Sequence, residues 1–97
     1  MVTLQEIQDM MKTLYFKRDQ KRGQIGTYNW LKDELEELGE ALNENNKELL
    51  KAEFADVIAW IASLANLKNI DLEKAFLSKY PNSCPKCKSS PCSCPPI

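Results

Sequence analysis

Four acidic residues, in two pairs of identical spacing, constrain this 97-residue chain more than any other feature. Glu37 and Glu40 form the first pair, and Glu53 and Asp56 form the second after a gap of twelve residues. Each pair lies in a stretch with helical hydrophobic periodicity, and residues three apart share one face of an α-helix. Two such helices packed side by side would bring the four carboxylates together. Because like charges repel, this arrangement favours a hard divalent cation with oxygen ligands, Mg²⁺ or Mn²⁺.

Hydrophobic periodicity predicts an all-α chain, a short bundle of about four helices, with an irregular tail rich in cysteine and proline. Thr3 can cap the first helix together with Glu6, three residues further on. We expect one helical domain over residues 1–79 and a tail over residues 80–97. A core of this size is marginal alone, which favours completion of the bundle by oligomerisation. The four predicted helices span residues 3 to about 21, 27 or 29 to about 43, 47 to 67, and 71 to 79.

Composition excludes several classes of function. The chain has no histidine, which excludes a Ser-His-Asp triad, a Cys-His pair and a di-iron bundle built on Glu-x-x-His helices. A formal net charge of −1 provides no overall attraction to nucleic acid or to a membrane surface. No apolar run is long enough to span a bilayer, and the first residues lack the regions of a signal peptide. We therefore expect a cytoplasmic protein that binds neither nucleic acid nor membranes.

The surroundings of the second acidic pair differ from an ordinary solvated helix face. Glu53 and Asp56 project near three large apolar residues, where an uncompensated carboxylate would cost several kcal/mol. Lys51 is the only basic residue nearby in this helix. A metal shared with the first pair would compensate the charge more economically than Lys51. A solvated face suits the other acidic residues of this region, Asp33, Glu34, Glu36 and Glu44.

The tail carries all four cysteines in a C-x-x-C…C-x-C array. Four thiolates at such spacings can form a tetrahedral zinc site. Disulfides and free, functionally inert thiols are the alternatives at this stage. The tail would serve as a stabilising clip, a dimer contact or a binding tag. The cysteines of the array are Cys84, Cys87, Cys92 and Cys94.

The segments that carry the acidic pairs resemble the MazG family of all-α nucleoside triphosphate pyrophosphohydrolases. The likeness covers about residues 3–80, and it is carried by Trp30–Glu40, Glu53–Trp60 and the segment from Asn69 to Tyr80. The resemblance implies Mg²⁺-dependent hydrolysis of (d)NTP to (d)NMP and pyrophosphate, by a homodimer or a tetramer. It also implies particular roles: metal ligation by Glu37, Glu40, Glu53 and Asp56, an aromatic residue near the base at Trp60, and a phosphate contact at Lys79.

Hydrolysis of a phosphoanhydride requires neutralised phosphate charge and an activated water, and Mg²⁺ supports both. Glu36 or Glu37 could accept the proton of that water. Lys21 and Arg22 could join Lys79 in holding the phosphates. The plainer interpretations are surface solvation for these basic residues and simple packing for the aromatic residue. The alternative function is a non-catalytic helical interaction module with a zinc-binding tail.

Overall fold

A computed structural model describes residues 1–96, and within this range the chain forms three α-helices and no strand. The all-α prediction is confirmed. None of the described helices combines the length and the apolar character needed to cross a membrane. Ile97, the last residue of the predicted tail, lies outside the described residues. Helix α1 spans Leu4–Leu42, α2 spans Lys47–Leu67 and α3 spans Leu72–Lys79.

Side-chain caps begin the helices where the sequence predicts. The Thr3 hydroxyl accepts a hydrogen bond from the Glu6 backbone N–H, and the Glu6 carboxylate accepts one from the Thr3 N–H, both at 3.1 Å. These reciprocal bonds form a capping box, which satisfies two backbone donors at the start of α1. Asp71 caps α3 by accepting a hydrogen bond from the Lys74 N–H at 3.0 Å. Local polar residues therefore determine both starts.

The predicted first and second helices form one kinked element, so the described chain has three helices and not about four. Gly23 alone departs from helical geometry inside α1, with φ 85° and ψ 172°, a conformation that favours glycine. The expected connection of several residues between these helices is therefore wrong. Arg22 explains the tight join, because it donates to Asp19 Oδ1 at 2.9 Å and to Thr27 Oγ1 at 3.3 Å, on opposite sides of the kink. Both acceptor residues are buried.

The interface between α1 and α2 is built mainly from small side chains. Ala41 of α1 and Ala62 and Ala65 of α2 are buried, together with Val57 and Leu31. Small residues allow two helices to approach closely, and the short turn over residues 43–46 makes them antiparallel neighbours. The side chains that project beside this seam are consequently brought close to one another.

A buried glutamine connects the start of α1 to the connection between α2 and α3. The Gln8 amide donates to Asn66 Oδ1 at 3.0 Å and to the Ile70 carbonyl at 2.6 Å. Its side-chain oxygen accepts a hydrogen bond from the Leu72 N–H at 2.9 Å. Because buried polar groups are costly unless paired, this network determines where α3 sits against α1.

Replacing Gly23 with alanine is expected to lower the free energy of unfolding by about 1–3 kcal/mol, because a side chain is strained in this backbone conformation. Apart from its chain neighbours and the adjoining backbone of its own helix, no atom lies within 4 Å of the position that a Cβ would take, so the change tests mainly backbone strain. Urea denaturation followed by circular dichroism measures the effect.

The matched control for this prediction is Gly39→Ala, since Gly39 lies in regular helix with the same free space around it. Gly39→Ala should raise the free energy of unfolding by about 0.5–1 kcal/mol, the usual difference between alanine and glycine inside a helix. If Gly23→Ala raised the free energy of unfolding to the same extent, the result would contradict the non-helical conformation assigned to Gly23.

Candidate functional site

The second half of α1 packs antiparallel to α2. This contact places an aromatic residue of each helix opposite the other and brings acidic residues of the two helices together. Trp30 of α1 stacks on Trp60 of α2, with ring centroids 5.7 Å apart and ring planes 8° apart. Further along α1, Glu34 and Glu37 meet Glu53, which precedes Trp60 on α2. The two helices therefore present a group of acidic residues directly beside a pair of stacked indoles.

Three carboxylates converge closely enough to share one cation. Oxygens of Glu34, Glu37 and Glu53 lie within 4.8 Å of one another. One oxygen of Glu34 and one of Glu53 are buried, and neither has a hydrogen-bond partner in the part of the chain that the structure describes. Buried acceptors without partners are costly. A hard cation with oxygen ligands would satisfy both atoms and neutralise the repulsion among the three groups.

The combined charge of these residues acts on Glu34. Burial is the largest cause that raises the pKa of Glu34 to about 7, followed by the charge of Glu37, a hydrogen bond that a protonated Glu34 can share with Glu53, and the charges of Asp56 and Glu53. Asp56 therefore belongs to the same electrostatic group, although it is not one of the three residues whose oxygens lie within 4.8 Å. We call Glu34, Glu37, Glu53 and Asp56 the acidic cluster.

The acidic cluster contains three of the four predicted metal ligands and one residue that the sequence analysis set aside. Glu37, Glu40 and Asp56 are all exposed, so the expectation that Asp56 is shielded from solvent is wrong, and Glu40 lies outside the group of three converging carboxylates. Our assignment of Glu34 to a solvated face is wrong, because the register of the helices turns it toward Glu53 and Asp56. Glu34 precedes Glu37 by the same three residues that separate Glu37 from Glu40, and this repeated spacing was a signal that could have identified it.

The remaining predicted residues lie apart from the acidic cluster to different degrees. Glu36 is exposed and outside the group, although it is adjacent to Glu37 in the chain. Lys21 is also exposed. Lys79 is exposed in the last turn of α3, where its Nζ lies 5.8 Å from the centroid of the Tyr80 ring. Within residues 1–96, neither lysine forms an ion pair with the acidic cluster.

A cavity of about 260 Å³ adjoins the acidic cluster, and Asp56 and Trp60 form part of its wall. Arg22 lines the same cavity, and its guanidinium carbon lies 4.8 Å from the centroid of the Trp60 ring. Arg18 also lines it, although the sequence analysis did not single out this residue. Two larger depressions, of about 770 and 780 Å³, contain no residue of the acidic cluster. Chemistry, and not size, therefore singles out the smaller cavity.

The tail brings its four cysteines together at a second, separate site. Their Sγ atoms lie within 4.8 Å of one another, and all four residues are free thiols. The backbone N–H of Ser93 hydrogen bonds to Cys87 and lowers the pKa of that thiol to about 5. A side-chain hydrogen bond with Cys92 raises the pKa of Cys94 to about 11. The site therefore places sulfur atoms of different acidity close together, with Cys87 the more acidic and Cys94 the less acidic of these two.

In protein freed of metal, we expect the melting temperature to fall as pH rises from about 5 to about 8 through the titration of Glu34. The pKa of Glu34 is about 7 in the folded chain, against an ordinary value of 4.5 for a glutamate side chain in an unfolded chain. Below the unfolded value this carboxyl is protonated in both states. Above the folded value it is ionised in both, and only the folded chain carries the repulsion, so stability is lost as pH rises through the folded pKa.

Substituting Glu34 with glutamine removes this titration, so the melting temperature of Glu34→Gln in a chelator should vary less with pH. The matched control is Asp33→Asn, an exposed acidic neighbour whose substitution should leave the fall intact. Differential scanning fluorimetry across the pH range provides the measurement. An equal fall in the unmodified protein and in Glu34→Gln would contradict the assignment.

Comparison with known proteins finds a family match that covers the central part of the chain and the first half of its tail. A family model described as the MazG nucleotide pyrophosphohydrolase domain matches residues 22–88. The matched segment contains the whole acidic cluster, α2, α3 and the first two cysteines of the tail. No curated protein matches the chain. The family match extends over more than half of the sequence, and the chain therefore belongs to the MazG nucleotide pyrophosphohydrolase family.

Proposed function

We propose that this protein hydrolyses nucleoside triphosphates to monophosphates and pyrophosphate with the help of Mg²⁺ or Mn²⁺. The observation that carries the proposal is the pair of buried carboxylate oxygens on Glu34 and Glu53 that have no partner in the described residues. With Glu37 they form a donor set made only of carboxylate oxygens. Such a set fits a hard divalent cation better than a soft one. Membership of the MazG family supports the reaction class.

The proposed ligands are Glu37, Glu40, Glu53 and Asp56, and we add Glu34 because its oxygen lies close to those of Glu37 and Glu53. When bound there, Mg²⁺ would neutralise phosphate charge and lower the pKa of a coordinated water. A cation would also replace the proton that the neighbouring carboxylates favour on Glu34. Four or more carboxylates exceed the charge of one divalent ion, so a second ion or the positive side chains nearby would complete the neutralisation.

The chain's own residues have further proposed roles around that centre. Glu37 is the proposed proton acceptor, because it lies in the acidic cluster whereas Glu36 lies outside it, although both residues are exposed. Arg22 and Arg18 line the adjoining cavity and offer guanidinium groups suited to phosphate oxygens. Lys21 and Lys79 stay proposed phosphate contacts. Trp60 stays the proposed neighbour of the nucleobase, at the wall of that cavity.

We also propose that the protein works as a homodimer or a tetramer. Phe54, Ile58 and Ile61 of α2 recur on one helical face and have exposed fractions of 50%, 47% and 40%. An apolar stripe of this kind is unusual on the surface of a monomer. A second copy of the chain would cover the stripe and complete the bundle. The cytoplasm, where nucleotide substrates occur, is the proposed location.

Substituting Glu53 with glutamine or Asp56 with asparagine is expected to reduce turnover by at least about 100-fold, since even residues that only support metal ligands cost 10–100-fold when changed. The fold should survive, because removing one negative charge from the acidic cluster relieves repulsion. The assay incubates the protein with each canonical (d)NTP and with damaged nucleotides in Mg²⁺, and quantifies pyrophosphate and monophosphate.

Glu44→Gln is the matched control for these variants, because Glu44 is an exposed acid in the turn after α1. It should retain the turnover of the unmodified protein. Absence of turnover with every nucleotide would overturn the proposal and favour the non-catalytic interaction module. Comparing Glu34→Gln with Glu40→Gln then shows which of these two carboxylates the metal requires.

A charge placed in the apolar stripe should separate the subunits. We expect Ile58→Glu to shift the protein from dimer or tetramer to monomer, because a carboxylate in an apolar interface is costly to desolvate. Sedimentation velocity measures the mass. Val2→Glu is the control, since Val2 is 62% exposed in the segment before α1. Unmodified protein that sediments as a monomer would overturn this part of the proposal.

A further inference from the structure

We propose that the C-terminal tail binds one Zn²⁺ ion through the thiolates of Cys84, Cys87, Cys92 and Cys94. This inference goes beyond the proposed hydrolase function, because the acidic cluster and its cavity include no residue of the tail. The two sites also differ in chemistry. Soft sulfur ligands favour zinc, whereas carboxylate oxygens favour magnesium or manganese.

The spacing of the sulfur atoms matches a tetrahedral metal site. Zinc–sulfur bonds of about 2.3 Å place the sulfurs of a tetrahedron about 3.8 Å apart. The Sγ atoms of Cys84 and Cys94 are 3.8 Å apart, and those of Cys87 and Cys92 are 3.9 Å apart. All four lie within 4.8 Å of one another. Each close pair joins one cysteine of the C-x-x-C turn to one of the C-x-C turn, so the two turns face each other across a common centre.

Backbone hydrogen bonds orient these sulfur atoms. The Ser93 N–H donates to Cys87 Sγ at 3.3 Å, and the Cys94 N–H donates to Cys92 Sγ at 3.3 Å. The first turn is closed by two further backbone bonds, from the Lys88 N–H to the Cys84 carbonyl at 2.8 Å and from the Cys84 N–H to the Ser89 carbonyl at 3.0 Å. Donors directed at sulfur stabilise thiolates and preset their positions before a metal arrives.

The charges of the tail suit the same ligand set. Four thiolates and one Zn²⁺ ion carry a net charge of −2. Lys86 and Lys88 lie in the turn that contains the first two cysteines, and residues 80–97 contain no aspartate or glutamate. Nearby cations lower the cost of a thiolate, and no carboxylate of the tail competes for the ion.

The apolar residues of the tail are too few to stabilise one conformation, so the tail needs a cross-link. After α3 the described chain forms only turns and bends, and it includes all five prolines of the sequence. A segment this short cannot bury enough apolar surface to hold one conformation, and metals or disulfides commonly supply that stability. Disulfides between the close pairs, Cys84 with Cys94 and Cys87 with Cys92, are the competing solution.

The test uses the full chain, produced with a histidine-free tag and kept reduced. After extensive dialysis, elemental analysis should find one zinc per chain. Replacement by Co²⁺ should produce sulfur-to-cobalt charge-transfer absorption and the intense visible bands of a tetrahedral site.

Cys87→Ser and Cys94→Ser should lose the zinc. Ser90→Ala should keep the zinc, because Ser90 is an exposed residue of the same loop and its substitution removes no sulfur ligand. Glu53→Gln should also keep it, which separates this site from the acidic cluster.

Three outcomes would overturn the proposal. One is an intact mass that shows two disulfides in protein without zinc. Another is a reduced chain that stays free of zinc after refolding with Zn²⁺. The third is full zinc content in Cys87→Ser or Cys94→Ser, which would mean that the ion binds elsewhere. As an independent readout, trypsin should cleave after Lys86 and Lys88 faster once a strong chelator removes the metal, while the helices keep their circular dichroism.

Discussion

Close packing of α1 against α2 brings like charges together, and most of the chemistry proposed for this protein follows from that contact. The small side chains of Ala41 and Ala62 leave little space between the helices, so acidic residues beside the seam cannot separate by moving the backbone. Burial, together with these neighbouring charges, raises the pKa of Glu34, and one buried oxygen of Glu53 has no hydrogen-bond partner in the described residues. A divalent cation, as proposed above, would convert this unfavourable arrangement into a binding site. The helical seam would then contribute both to the fold and to metal affinity.

The kink in α1 connects this seam to the cavity beside it. Arg22 binds Asp19 and Thr27 across the kink, and its guanidinium group also lies over the ring of Trp60. A straight helix through Gly23 would move Arg22 away from one of these partners. The cavity wall next to the acidic cluster thus depends on a backbone conformation that glycine adopts without strain. This dependence links a local feature of α1 to the site on α2.

The thiol cluster of the tail is a second solution to the same physical problem. In both sites, potential metal ligands converge at short distances, and a cation would stabilise either group. The ligand atoms differ, however, and hard oxygen and soft sulfur select different metals. The two proposed ions would therefore not compete for the same site. The tail follows α3, and hydrogen bonds from Gln8 of α1 to the Ile70 carbonyl and from the Leu72 N–H to Gln8 fix the start of that helix.

Local chemistry in the sequence determined the helix caps at Thr3 and Asp71, the bounds of α2, the helical placement of the acidic pairs and the grouping of the four cysteines. These features depend on residues a few positions apart, so short-range spacing predicts them. Tertiary structure decided that Glu34 joins the acidic cluster while Glu40 lies outside it, and that Gly23 replaces a loop with a kink. The register of two helices depends on side chains that meet across the seam, and the kink depends on hydrogen bonds across it. The repeated three-residue spacing makes Glu34, Glu37 and Glu40 all candidates, but periodicity within a single helix does not say which of them face α2, and it does not predict the kink.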